Sequence, residues 1–161
     1  MFNVSSALSK QVNFSFYPTP DCDWPNGDPT KCDAQAFGKA VCECDDIEIC
    51  ALHVENCVVG CSGSSLQKLA NFFGCFSGEK EETCSPSKSS SCAKLAGIDH
   101  SKIESCVSDK SLLDSIYRSQ WPMAKKVESF PELKIAGKSL QVETVKGIKK
   151  ALCNAGASAA C

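Results

Sequence analysis

Apolar positions recur along this chain in two rhythms, and the changes of rhythm divide it into elements. Val12, Phe14 and Phe16 alternate with Asn13 and Ser15 and stop at Tyr17-Pro18, the period-two pattern of a half-buried strand. Residues Thr19 to Thr30 are rich in Pro, Asp, Gly and Asn, so an irregular surface loop is expected, stapled by Cys22 and Cys32. Asp45 or Asp46 caps a helix whose apolar residues Ile47, Cys50, Val54, Cys57 and Val58 recur at helical spacing, with Gly60 as its stop. A second helix runs from about Ser65 to Gly78 and turns Leu66, Leu69, Phe72, Phe73 and Phe76 inward. The serine-rich stretch from Cys84 to Cys92 reads as a polar loop tied at both ends.

Ser101 and Glu104 have capping-box spacing and open a short helix with Ile103, Cys106 and Val107 facing in. Asp109 starts another, carrying Leu112, Leu113, Ile116 and Tyr117. Beyond Trp121-Pro122 the rhythm reverts: Phe130 to Ile135 alternates as a strand, Ala136-Gly137 turns, and Lys138 to Leu140 returns as its partner. Val145, Ile148 and Leu152 mark a last helix. The expected order is strand, several helices, hairpin, helix, with no internal repeat.

A length of 161 residues suits one domain able to bury its own core. The net charge of −2 gives no basis for nucleic-acid binding, which requires a concentrated basic face. Charge is uneven, acidic from Asp21 to Cys57 and basic from Lys125 to Lys150, and oppositely solvated faces account for it. No stretch approaches the roughly 20 apolar residues of a membrane span, and none is expected.

Thirteen cysteines change the picture most. A density of about 8% is that of a disulfide scaffold, which places the chain in an oxidising compartment, yet no two cysteines have Cys-x-x-Cys spacing. The sequons Asn3-Val4-Ser5 and Asn13-Phe14-Ser15 agree with passage through a secretory route and mark Asn3 and Asn13 as glycosylation candidates. The first six residues carry no signal-peptide pattern, so the expectation is that the natural chain begins upstream of Met1.

Several of these features together resemble the gamma-interferon-inducible lysosomal thiol reductase (GILT) family. They are a strand ending in Pro18, a cysteine-rich helix entry at Cys42, Cys44, Cys50 and Cys57-Val58-Val59, then Phe73-Gly74-Cys75, Cys92 and Ile103-Glu104-Ser105-Cys106. Phe130 to Lys138, and the tail with Cys153 and Cys161, complete the set. The likeness covers about Val12 to Cys161 and rests on order and spacing. The family's Cys-Gln-His-Gly is replaced by Cys42-Glu43-Cys44-Asp45, and His53 stands where an asparagine would.

The resemblance implies an α/β, thioredoxin-like fold with a helical, disulfide-rich insertion, incomplete at its N-terminus. It implies one domain over 1–161, with an irregular loop over 19–44, the helical insertion over 45–120 and a strand-hairpin-helix end over 128–161. It also implies a lysosomal or secretory reductase of protein disulfides that uses no cofactor, with Pro131 as a cis-proline beside the site. The reactive Cys-x-x-Cys would lie before Met1, leaving this chain inactive alone, poorly soluble or paired with itself. A second register puts Cys22 at the nucleophile position and Pro25 where the resolving cysteine belongs.

Cys42, Cys44, Cys50, Cys57, Cys75, Cys92, Cys106, Cys153 and Cys161 are the disulfide candidates. Sequence does not assign the pairing; Cys44 with Cys57, Cys75 with Cys92 or Cys106, and Cys153 with Cys161 are the working pairs. An odd total leaves one thiol over. The cluster Cys42, Cys44, Cys50, His53, Cys57 and Cys61 offers a zinc set, with Cys50, His53 and Cys57 along one helix face, although an oxidising compartment favours disulfides. His53 and His100 read as ordinary helix residues. The competing function is a secreted cysteine-rich binding domain in which every disulfide is structural.

Overall fold

In a computed structural model, residues 6–13, 15, 27–32, 34–35, 38–77, 84–126, 133–135, 138–140 and 145–161 are described. Seven α-helices account for most of them: α1 (Ser6–Ser9), α2 (Lys39–Val54), α3 (Gly63–Phe76), α4 (Ser89–Ala96), α5 (His100–Ser108), α6 (Lys110–Ala124) and α7 (Val145–Asn154). The only strands among the described residues are β1 (Leu133–Ile135) and β2 (Lys138–Leu140), an antiparallel pair in which Leu133 faces Leu140 and Ile135 faces Lys138. The hairpin and the last helix therefore stand where the apolar rhythm placed them.

The thioredoxin-like α/β fold does not. That fold is organised around a central sheet, whereas here a helix occupies the centre. Ile49, Cys50, Ala51 and Leu52 of α2 are all 0% exposed. Four consecutive residues cover every side of a helix, so this turn of α2 is enclosed all round, while Lys39, Ala40 and Glu43 nearer its start are exposed. The helix packs against α5, α6 and α3, while α3 packs on α4 and α1.

Local chemistry explains several departures from the expected boundaries. Helix α2 begins at Lys39, so residues 39–44, expected in the loop, are helical, and it ends at Val54. The stretch from Cys84 to Cys92 is not a loop. Pro86 opens a 3₁₀ turn (Pro86–Lys88) that leads into α4, whose Cys92, Ala93 and Ala96 are buried. Proline suits the first turn because its missing N–H would have no partner there, and the small residues pack close to α3. Helix α5 is capped by Asp99 rather than by a Ser101–Glu104 box: the Asp99 carboxylate accepts the Ser101 N–H at 3.1 Å and the Ser101 hydroxyl at 2.7 Å. Asp109 caps α6 as expected, accepting the Leu112 N–H at 3.0 Å. Val12, Asn13 and Ser15 are not in a strand; the rest of the 12–17 stretch lies outside the described residues.

Helix α3 supplies the largest core side chains. Leu66, Leu69, Phe72 and Phe76 lie on its buried face, and the rings of Phe72 and Phe76 stack at 5.2 Å. Each contributes about 1.5–3 kcal/mol through removal of apolar surface from water. The chain ends meet over this layer: Gln11 donates from Nε2 to the Ser158 hydroxyl at 2.9 Å and accepts the Ala159 N–H at 2.8 Å.

Helix α4 stops by a backbone device. Gly97 sits at φ 72°, its N–H reaches the Lys94 carbonyl, and the Ile98 N–H reaches the Ala93 carbonyl at 2.9 Å, with the Ile98 side chain buried. This is a Schellman closure, and the left-handed residue in it favours glycine. A methyl group at Gly97 would meet nothing within 4 Å. Gly97→Ala is therefore expected to destabilise through backbone strain alone, by about 1 kcal/mol. A thermal melt unchanged by the substitution would contradict that.

Candidate functional site

The cysteines come together as Cys32–Cys42, Cys44–Cys84, Cys50–Cys106, Cys57–Cys61, Cys75–Cys92 and Cys153–Cys161. All nine disulfide candidates are thus bonded. Two working pairs hold, Cys75–Cys92 and Cys153–Cys161; Cys44 with Cys57 is replaced by Cys44–Cys84 and Cys57–Cys61. The reason is α2 itself, a rod that ends at Val54: Cys44 lies in its first half and Cys57 three residues beyond its end, too far apart along the axis to meet. Cys42, Cys44 and Cys50 send cross-links from α2 to three other segments, and Cys57 ties its exit to the entry of α3. Twelve of thirteen cysteines are so used. The thirteenth, Cys22, lies outside the described residues, as do Pro131 and the sequon residue Asn3.

These bonds also settle the zinc reading, because Cys50, Cys57 and Cys61 have no thiolate to offer beside His53. Among the described residues no three His, Cys, Asp or Glu side chains gather as a metal site. His100 has a structural setting: its Nε2 lies 3.0 Å from the Ser89 hydroxyl and its Nδ1 3.6 Å from Glu104.

The exit of α2 shapes a surface cavity. Asn56 adopts φ 57°, its N–H reaches the His53 carbonyl at 3.0 Å, and the Cys57 N–H reaches the Leu52 carbonyl at 2.7 Å. Asparagine tolerates this left-handed position better than other residues that carry a side chain, which is a sequence signal for the helix end that the later Gly60 obscured. The buried Gln120 side chain of α6 then donates to the Val58 carbonyl at 2.9 Å and fixes the following turn. Glu55, only 9% exposed, pairs with Lys68 of α3 at 3.1 Å.

Between this exit and the junction of α5 with α6 lies a cavity of about 410 Å³, lined by His53, Val54, Asn56, Lys102, Ser105, Cys106, Asp109 and Leu112. Its lining mixes apolar Val54 and Leu112 with polar and charged side chains, and its volume falls in the range of small-ligand pockets. The rim groups are largely committed: Asp109 caps α6, and Ser105 donates to the Ser101 carbonyl at 2.8 Å. A second cavity, of about 370 Å³, is lined by Lys10, Gly63, Ser64, Gln67, Lys68, Asn71 and Ala96.

The unusual titrating groups lie elsewhere. Burial pushes the half-buried Glu48 carboxyl up to about 7. Burial likewise raises Asp46, which accepts a hydrogen bond from the Tyr117 hydroxyl at 3.1 Å. Burial, then the charges of Asp46 and Asp45, hold the Tyr117 phenol well above its ordinary value. A carboxyl that titrates near neutrality suits general acid-base chemistry only where substrate reaches it. Glu48 is five residues from His53, about 140° away around α2, and lines neither cavity. Its shift is a property of packing.

Comparison with protein-family models, with curated proteins and with solved structures finds no match to this chain. Among the described residues no helix is long and apolar enough to cross a membrane. Six disulfides are characteristic of secreted or extracellular proteins.

Proposed function

We propose that this chain is a secreted, disulfide-braced helical binding module whose sulfurs are structural, with the cavity at the exit of α2 as its contact for a small ligand or a partner side chain. The observation that carries the reading is the placement of the sulfurs. Cys44, Cys50, Cys57, Cys61, Cys92 and Cys106 are at most 3% exposed, and they join separate elements of the core or its turns. Thiol-disulfide exchange proceeds by attack of a thiolate on an accessible sulfur, and such burial blocks the approach. Reduction of protein disulfides, the activity implied by the GILT resemblance, would have to rest on Cys22 and Pro131 or on the more exposed bonds Cys32–Cys42 and Cys153–Cys161.

The oxidised full chain is expected to reduce a small aromatic disulfide no faster than buffer, and thiol titration in denaturant is expected to find one reactive sulfur per chain. Catalytic turnover that disappears on serine replacement of any of the twelve paired cysteines would overturn the reading.

A further inference from the structure

Asn13 is exposed and belongs to the one described sequon. Its side-chain amide stands against Gly60, where an added methyl would meet Nδ2 and Oδ1 at 2.8 Å. Two residues on, the Ser15 hydroxyl donates to the Val59 carbonyl at 3.0 Å. Asn13 and Ser15 thus both stand against the turn closed by Cys57–Cys61. At the tip of that turn Val59 is 86% exposed, the most exposed large apolar side chain among the described residues. An isolated exposed valine is ordinary on a protein surface; a sequon fastened beside it places a covering group within reach.

We propose that Asn13 carries an N-linked glycan whose first sugars lie over the Cys57–Cys61 turn and cover Val59. This rests on the secretory reading above. The donor is a lipid-linked oligosaccharide diphosphate. The Asn13 side-chain nitrogen forms a bond to C1 of the first sugar, and the C1–oxygen bond to the diphosphate breaks. The lipid diphosphate leaves with that electron pair, and one amide proton passes to solvent. The Ser15 hydroxyl is required for the sequon to be used, and in the folded protein it is engaged by Val59. Transfer therefore precedes formation of the Ser15–Val59 hydrogen bond.

The test is secretion of the full chain from a eukaryotic host, followed by site mapping after enzymatic deglycosylation in isotopically heavy water, which labels each formerly glycosylated asparagine as aspartate. Asn13 is expected to carry the label, Asn13→Gln to lose the mass of one glycan, and Ser15→Thr, which keeps the hydroxyl, to retain it. The unglycosylated Asn13→Gln protein is expected to bind an apolar fluorescent dye more strongly than the parent. An unlabelled Asn13 in secreted protein with all six disulfides formed would overturn the proposal while leaving the binding-module reading intact. A labelled Asn13 in a chain with disulfide reductase turnover would do the reverse. Retention of the glycan in Asn13→Gln, or equal dye binding with and without it, would also overturn the placement.

Discussion

Replacing Cys50 and Cys106 together by alanine is expected to lower stability by about 4 kcal/mol, the largest loss from removing any single cross-link in this chain. The bond closes a loop with a sequence separation of 56 and joins α2 to α5 at the centre of the fold. Loop-closure entropy released in the unfolded chain sets the figure, since the constraint grows with the logarithm of loop length. For a domain of this length the loss corresponds to a drop of about 8–16 °C in Tm. The Cys32–Cys42 bond, with a separation of 10, provides the contrast. Its removal is expected to cost about 2.5 kcal/mol, and less where the loop is already held by its contacts. Circular dichroism melts of the two double variants decide the matter. A Cys50/Cys106 variant that melts above the Cys32/Cys42 variant would show that packing and the remaining bonds of α2 hold it in place without the Cys50–Cys106 cross-link.

Stability is also expected to fall as pH rises from about 4.5 to 7, opposite to the trend set by salt-bridged carboxylates. The unfolded chain ionises Glu48 near its ordinary 4.5, whereas the folded chain keeps the proton up to about 7, because burial penalises the charged form. Between those values the native state binds more protons than the unfolded state, so the slope of unfolding free energy against pH is negative. The contribution is fully present below 4.5 and lost by the time pH passes 7. It amounts to about 2–3 kcal/mol for this half-buried carboxyl. Asp46 adds to the same trend, since burial raises it too. Asp28 and Asp99 act in the other direction: hydrogen bonds from Thr30 and Ser101 lower them, so their effect lies below the ordinary 3.8, outside this window. Glu48→Gln is expected to flatten the profile and to raise Tm at pH 7.5. A profile equally steep in Glu48→Gln would place the burial penalty on another group.

The resemblance to thiol reductases rested on the order and spacing of cysteines, and spacing does not say what surrounds them. Twelve cysteines do form the expected disulfide framework, and the helices carrying Leu66, Leu69, Phe72 and Phe76 or Leu113, Ile116 and Tyr117 bury the faces their periodicity indicated. The fold class inferred from the same residues fails because α2, which reads as one amphipathic helix among several, takes the centre in place of a sheet, its turn from Ile49 to Leu52 buried on all sides. Its Asp46 and Glu48 disguise that. Both are acidic residues on a core helix, and in a linear reading they count as solvent-facing. The serine-rich run before Cys92 misled for the opposite reason, since small polar side chains can line a close helix contact as well as a loop.

Local rules therefore suffice for much of what local forces decide. Apolar period, the cap at Asp109 and the places of the two hairpin strands depend on residues near each other in the chain, and cysteine density alone marks an oxidising compartment; the Asp99 cap and the Gly97 stop are as local, but the Ser101–Glu104 spacing and the polar run before Cys92 concealed them. Which sulfur meets which, the enclosure of α2, the cavity at its exit and the raised carboxyl of Glu48 depend on segments far apart in the chain. Burial and desolvation arise only when distant surfaces close on one another, and for that reason the tertiary structure alone could decide them.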